Sequence, residues 1–322
     1  MTTYKAIKGL TIQTVAGDPS NLLTGDIWYD SVAKKVQGAK LAAGSWATNG
    51  DVNQGRYMGG SATEAPGTAG LIFGGDPGDK DETETYDGSS WTEVNDLNTG
   101  RGNMAGAGTQ TAALASGGSA SPQGQSEEFD GTNWAEGNDL NTARAGLNGN
   151  GTQTASLSTG GKIGENFQTI NELYDGTSWT ESGDLNTARA YHAVAGTSAA
   201  GLAAGGSSPY TADSEEFNGS TWAEGNNLNA TKAYVGGGFG TQTAALVSGG
   251  YNPSATHATT EQYDGTSWTE VGDLPTATRA HFGSGSTSAG LATSGRSAPG
   301  STVTEGYEWT GEAAAAVTFT SS

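Results

Sequence analysis

The sequence predicts an all-β protein: a six-bladed β-propeller preceded by a short N-terminal β segment. Three observations carry that expectation. Trp46, Trp91, Trp134, Trp179, Trp222 and Trp268 stand 43 to 46 residues apart, the period of one propeller blade. Turn-forming residues cut each interval into four short runs. The runs themselves are mostly Gly, Ala, Ser and Thr, small enough for strands crowded toward a common axis.

Within a repeat, each element has its own residue signature. Five residues before most of the tryptophans stands an aromatic, Tyr86, Phe129, Tyr174, Phe217 or Tyr263, followed by Asp or Asn and then Gly. Asp-Gly and Asn-Gly favour positive φ, so each aromatic-to-Trp segment reads as a tight hairpin. A polar connection such as Gly183-Asp184-Leu185-Asn186-Thr187-Ala188 follows, and then one basic residue: Arg56, Arg101, Arg144, Arg189, Lys232 or Arg279. Next come a small-residue run, a turn such as Gly151-Thr152-Gln153-Thr154, and a second run beginning at Leu71, Leu114, Leu157, Leu202, Leu246 or Leu291. That run closes on a glycine pair, as in Gly74-Gly75 or Gly160-Gly161, which the sixth repeat replaces by Ser294-Gly295. Large aromatics on the outer hairpin would fill the wedge that opens between neighbouring sheets.

Gly44-Ser45-Trp46-Ala47 carries the outer-strand signature without three strands before it, while the last repeat changes wording after Glu305-Gly306-Tyr307-Glu308. The N-terminal strand is therefore expected to complete the last sheet, with Ala316-Val317-Thr318-Phe319-Thr320 as the competing candidate. A stacked solenoid would need distinct end caps, and neither terminus resembles one. Residues 1–42 lack the repeat and contain a different hairpin, Asp26 to Asp30 returning through Lys34-Lys35-Val36. The expected domains are an N-terminal β-hairpin docking segment, 1–42, and the propeller, 43–322.

The order basic residue, glycine pair, aromatic, Trp resembles the kelch repeat over roughly residues 45–310. The aromatic-to-Trp interval is shorter than kelch repeats usually show. In wording, Gly25-Asp26-Ile27-Trp28-Tyr29-Asp30 and repeats such as Tyr174-Asp175-Gly176-Thr177-Ser178-Trp179 with Leu185-Asn186-Thr187-Ala188-Arg189 resemble bacteriophage virion structural proteins of tail-fibre or capsid-decoration type. That resemblance implies a virion location on tail or capsid, docking to other virion proteins through the leader, and a displayed head that recognises a host-surface glycan or protein.

Composition narrows the partners. The formal net charge is −20, and the leader's lysines leave residues beyond it more acidic still, so nucleic acid and anionic membrane surfaces would be repelled. Cysteine is absent, excluding disulfides and thiolate chemistry. No signal-peptide core and no apolar run of roughly 18 residues is found.

No residue is assigned to catalysis, and no cofactor or metal is expected. Six of the nine basic residues after position 42 occupy one position per repeat. A role common to all repeats is structural, pairing with a repeated acid such as Asp96, Asp139, Asp184 or Asp273, although a ring of cations around a channel could also bind an anion. His192, His257 and His281 have no metal-ligand spacing. Asp76, Asp79, Asp81, Glu82 and Glu84 are an acidic cluster that could hold Ca²⁺ but lacks an EF-hand pattern. The alternative function is a carbohydrate-active enzyme using carboxylates near the axis.

The loops between second and third strands differ in every repeat, whereas the hairpin turns scarcely change. Those loops, from Asp76, Ser119, Lys162, Ser207, Tyr251 and Arg296 onward, are expected to share a face with the connections between sheets. Lys80, Lys162, Phe167, Tyr210, Tyr251, His257 and Arg296 are the candidate ligand-binding residues, because aromatics and cations on variable loops suit recognition.

Overall fold

The computed structural model describes residues 12–23, 26–118, 124–207, 209–298 and 300–318. Lys5, Lys8 and Gly25 of the leader, most of the loop expected from Ser119, and Phe319 and Thr320 lie outside them. The chain divides into two compact units, residues 1–44 with 311–322, and Ser45–Thr310.

The smaller unit is one four-stranded sheet. Gln13–Val15 runs parallel to Ile27–Asp30, which pairs antiparallel with Lys35–Ala42, and this strand pairs in turn with Ala313–Thr318. Trp28 is buried, while Val32, Val36, Lys34 and Lys35 are exposed. The carboxylate of Asp30 accepts bonds from the backbone N–H groups of Gly17, Val32 and Ala33, which fixes the hairpin turn.

The larger unit is a β-propeller-like set of antiparallel sheets, five of four strands and a sixth to which the short strand Thr278–Arg279 adds a fifth. The first contains Gly60–Ser61, Leu71–Gly75, Lys80–Tyr86 and Trp91–Val94; the second Ala105–Thr109, Ala112–Ser116, Ser126–Phe129 and Trp134–Glu136. The third contains Asn148–Thr152, Ala155–Thr159, Asn171–Tyr174 and Trp179–Glu181; the fourth Ala193–Thr197, Ala200–Ala204, Ser214–Phe217 and Trp222–Glu224. The fifth contains Gly237–Thr241, Ala244–Ser248, Thr260–Tyr263 and Trp268–Glu270. In the sixth, Phe282–Gly285, Ala289–Ser297 and Thr302–Thr310 are joined by Ser45–Asn49, with Trp46 opposite Trp309. Of the two strands expected to compete for that edge, the N-terminal one occupies it. Ala313–Thr318 lies in the leader's sheet instead, so the last residues of the expected 43–322 span pair outside the repeats. First strands of successive sheets are neighbours, and that of the sixth neighbours that of the first.

Local chemistry explains the repeated wording. In the Asp-Gly hairpin, Asp175 Oδ1 accepts from the N–H groups of Thr177 at 2.9 Å and Ser178 at 2.8 Å, an Asx turn that ends with Trp179 opposite Tyr174. The glycine pair lets the next connection come close. Gly160 has φ +63°, and a Cβ there would stand 2.5 Å from the Arg189 carbonyl, to which Gly161 N–H donates. The outer aromatics fill the space between sheets: Phe73 of the first lies 4.8 Å from Trp134 of the second. Indole N–H groups latch adjacent sheets, Trp134 to Thr83, Trp179 to Ser126 and Trp46 to Thr260. The Gln of each Gly-Thr-Gln-Thr turn donates to two carbonyls of the preceding sheet, as Gln153 does to Ala113 and Phe129.

The recurrent basic residue is structural, but its partner is not the expected aspartate. Arg56 pairs with Glu84, Arg101 with Glu127 and Arg189 with Glu215 at 2.5 Å, Lys232 with Glu261 at 2.9 Å, and Arg144 with Glu172. These pairs are essentially fully buried. Asp96, Asp139, Asp184 and Asp273 are exposed, too far out on the connection to reach a base that points into the sheet. Each glutamate also anchors its connection: Glu172 accepts Asn141 N–H at 2.7 Å and Asn141 Nδ2 at 2.9 Å, and the same Nδ2 reaches the Trp179 carbonyl. Arg144 places its remaining donors on the carbonyls of Thr142, Ser158 and Gly160.

The sixth repeat breaks the hub at all of its points, and Arg279 is not its basic residue. Gly250 N–H donates to the Thr278 carbonyl as Gly206 N–H does to the Lys232 carbonyl, so Thr278 occupies the buried position and Arg279 stands one residue later. Pro275 replaces the asparagine, removing the N–H that a glutamate would accept. Tyr307, opposite Ala292 and Thr48, replaces the glutamate. With no base to pair, a carboxylate there would be buried alone, which is costly.

Glu172→Ala should lower stability by about 3–5 kcal/mol, because it strands a buried guanidinium together with two Asn141 donors. Arg144→Thr combined with Glu172→Tyr, the solution used in the sixth sheet, should cost less than Glu172→Ala alone. Urea unfolding of the three proteins makes the comparison.

Candidate functional site

The variable loops and the connections do lie together. Tyr57 bridges to Asp76, Ala145 to Lys162, Ala190 to Ser207 and Ala233 to Tyr251, each pairing a connection with the start of a second-to-third loop. Two of those loops are themselves short hairpins, Lys162–Ile163 with Asn166–Phe167 and Tyr251–Asn252 with Ala255–Thr256.

At six points, four of them one residue beyond these bridge positions, the backbone takes positive φ: Met58 at 56°, Asn103 at 53°, Gly146 at 66°, Tyr191 at 56°, Tyr234 at 51° and Ala280 at 53°. These six are joined in a circuit of backbone hydrogen bonds. Asn103 N–H donates to Met58, Gly146 to Asn103, Tyr191 to Gly146, Val235 to Tyr191, Ala280 to Tyr234, and Met58 to Ala280. Positive φ costs a side-chain-bearing residue of order 1–3 kcal/mol, and such strain concentrates at functional sites. Inside the circuit lies a cavity of about 60 Å³, lined beyond that ring by Ser61, Thr63, Leu147, Asn148, Val235 and His281 among others, and by no Asp or Glu.

Tyr191 and Tyr234 stack with centroids 4.4 Å apart and planes at 21°. Tyr251 meets the edge of Tyr234 at 6.3 Å, and Tyr210 meets Tyr251 at 6.0 Å. The Arg279 guanidinium lies 4.3 Å from the Tyr251 centroid, Lys162 Nζ 6.0 Å from Tyr191, and Arg296 4.8 Å from Tyr57. All are half-buried. Burial pushes the phenols of Tyr191 and Tyr234 up to about 12, so both remain neutral hydrogen-bond donors over the physiological range. Asp76 accepts Asn103 Nδ2 at 3.0 Å, and its carboxyl is raised by burial and by Asp79. The arrangement offers aromatic faces, phenolic donors and cations beside a cavity lined by both polar and apolar groups.

Of the expected ligand-binding residues, Tyr210, Tyr251 and Lys162 join this cluster, and Arg296 reaches its neighbour Tyr57. Phe167 is half-buried on the hairpin across from Lys162. Lys80 does not belong: its ammonium is held by Glu82 at 3.2 Å and by Gln54 at 2.8 Å. His257 lies near Lys232, its pKa lowered first by burial and then by that charge. The acidic cluster is dispersed, since Glu84 and Glu82 are committed to Arg56 and Lys80. No group of three His, Asp or Glu side chains among the described residues could hold a metal ion. Sequence reasoning read Arg279 only as a recurrent structural base, and it did not single out Tyr191 and Tyr234. Their signal was present two residues after the base, where the repeats read Met58, Asn103, Gly146, Tyr191 and Tyr234 instead of one conserved type.

Among solved structures, the chain is similar to that of the protein YjhT, with a TM-score of 0.67 and 13% sequence identity, covering 82% of this chain and 98% of that one. At that identity the likeness speaks for the β-propeller-like, all-β fold alone. No family model matches the chain, and no curated protein does. No helix among the described residues is long and apolar enough to cross a membrane.

His192 and His281 are buried beside this site, His281 donating to or accepting from Ser248 Oγ at 3.0 Å. Burial depresses His192 to about 3, with Arg189 adding to the effect, and His281 to about 4. In the unfolded chain both titrate near 6.5, so below that pH the unfolded state takes up protons that the folded state refuses. Their contribution is complete above pH 6.5 and falls as pH drops toward about 4 and about 3. At pH 5 each should cost about 2 kcal/mol. His192→Leu, which copies Leu147 in the preceding repeat, should lose correspondingly less stability between pH 7 and pH 5 in urea titrations.

Proposed function

We propose that this chain is a non-catalytic virion structural protein of bacteriophage, a closed six-bladed kelch-like propeller that presents its tyrosine-rich face to a host-surface glycan or protein. The observation that carries this reading is where the repeats differ. Ion-pair hubs recur in five of the six sheets and the hairpin turns change little, whereas aromatic and cationic side chains collect at one end of the axis. Two bulky tyrosines are held there at positive φ, a strain that the scaffold alone does not need. The six sheets, the adjacency of the first and last inner strands, and the hydrogen-bonded circuit favour closure. The virion assignment rests on the resemblance of the leader and repeat wording to phage structural proteins.

The enzyme alternative needs paired carboxylates at the substrate. The axial cavity is lined by amide, hydroxyl and phenol groups together with apolar side chains such as Met104, Leu147 and Phe282, and by no Asp or Glu, which favours recognition over hydrolysis. The leader is proposed as the docking module, for it exposes Val32 and Val36 beside Lys34 and Lys35, a mixed apolar and basic surface on an otherwise acidic chain.

Replacing Phe167, Tyr210 and Tyr251 together by alanine should leave the melting temperature within a few degrees of the parent and abolish attachment of purified protein to host cells. Undiminished attachment would move recognition elsewhere. Lys34→Glu with Lys35→Glu should reduce incorporation into particles, as judged by copy number in purified virions, while leaving the fold intact.

A further inference from the structure

The nine basic residues of the repeat unit divide sharply by partner. Five are buried in glutamate pairs, and Lys80 holds Glu82. Lys162, Arg279 and Arg296 form no ion pair among the described residues, and each lies over a tyrosine ring. The chain carries 34 acidic residues, and Asp76 and Glu165 lie near Tyr191, yet neither pairs with these three cations among the described residues. Arg279 and Arg296 also stand directly opposite each other on the ladder between Thr278–Arg279 and Ala289–Ser297, where like charges repel. Arg296 further donates through Nε at 3.1 Å and Nη2 at 2.9 Å to the Gly300 carbonyl. Arg279 owes its place to the one-residue shift of the sixth repeat, in which Thr278 takes the buried position.

We propose that Arg279, with Arg296 beside it and Tyr251 beneath it, is an anion-binding site that receives a carboxylate group of the ligand. Two half-buried arginines at opposed positions of one ladder, neither in an ion pair among the described residues, suit an external carboxylate, which accepts from a guanidinium fork in planar geometry. Tyr251 supports the guanidinium plane from below. The rest of the ligand then lies toward Tyr210 and Tyr234, where faces and phenols meet either a ring or a chain. The carboxylate is the shared chemistry of an acidic glycan unit and an acidic peptide side chain. The inference builds on the assignment of this face as the recognition surface.

The test titrates the full chain, at low ionic strength, with D-glucuronate, N-acetyl-aspartate amide and D-glucose, followed by tyrosine fluorescence. At least one anionic probe should bind, with D-glucose about tenfold weaker or more, and affinity should fall steeply as salt rises to about 0.5 M. Arg279→Gln should weaken the anion by about tenfold or more at an unchanged melting temperature, Arg296→Gln by less, and Tyr251→Phe hardly at all. The stronger of the two anionic probes identifies the source of the carboxylate. Equal binding of D-glucose, no binding of either anion, or full affinity in Arg279→Gln would overturn the proposal. Host attachment separates it from the reading on which it rests. Loss of anion binding in Arg279→Gln with attachment intact leaves the anion site standing and refutes the recognition face; attachment lost in the alanine triple variant, with Arg279→Gln still binding anion normally, does the reverse.

Discussion

A buried glutamate on the third strand is the constraint on which five of the six sheets depend. It accepts a cation, a backbone N–H and a side-chain amide from the connection that enters the same sheet, as Glu172 does from Arg144 and Asn141. A charge removed from water in this way is tolerable only when every lone pair is used. The requirement therefore fixes three positions at once, and it explains why Leu-Asn-Thr is followed at constant spacing by a base. It also frees the inner strands from supplying adhesion, so that they can be almost entirely Gly, Ala, Ser and Thr. Lateral cohesion comes from elsewhere: outer aromatics, indole latches and the Gln clamps between sheets.

The sixth sheet shows the same constraint by its absence. It is assembled from both ends of the repeat unit, with Ser45–Asn49 laid against Thr302–Thr310, and Pro275, Thr278 and Tyr307 have replaced asparagine, base and acid together. Losing base or acid alone would leave an unpaired buried charge, whereas losing both, with the asparagine, leaves none. The displaced cation, Arg279, then stands at the surface beside Tyr251. Structural relaxation in one repeat and chemical specialisation of the face are thus the same substitution.

The site itself draws on the strain of the axial circuit. Six residues at positive φ, linked N–H to carbonyl with Val235 standing in for Tyr234 as one donor, surround a cavity lined by polar and apolar groups. Glycine or asparagine would fit such positions with least cost, and the second and third repeats use them. The fourth and fifth use Tyr191 and Tyr234, which stack on each other and connect through Tyr251 to the cations.

Much of the fold was legible in the sequence, since period, turn residues and small-residue runs are local properties that strand pairing only confirms. Four strands per repeat, the Asp-Gly hairpins, the strand at Trp46 on the last sheet and the structural role of the bases could all be read there. Tyr210, Tyr251 and Lys162 were legible as candidates because they fall on variable loops. Three things required the tertiary structure. The true partner of each base is a glutamate rather than an aspartate, because partnership depends on which side chain points between strands. The offset of Arg279 leaves only a faint trace in spacing, 11 residues after Trp268 where the other five bases follow their Trp by 10, and the tertiary structure was needed to show that this one-residue slip turns the side chain from interior to surface. The cluster of Tyr191, Tyr234, Tyr251 and Arg279 joins residues from three repeats, and closeness across repeats is set by the packing of sheets around an axis, which no stretch of sequence contains.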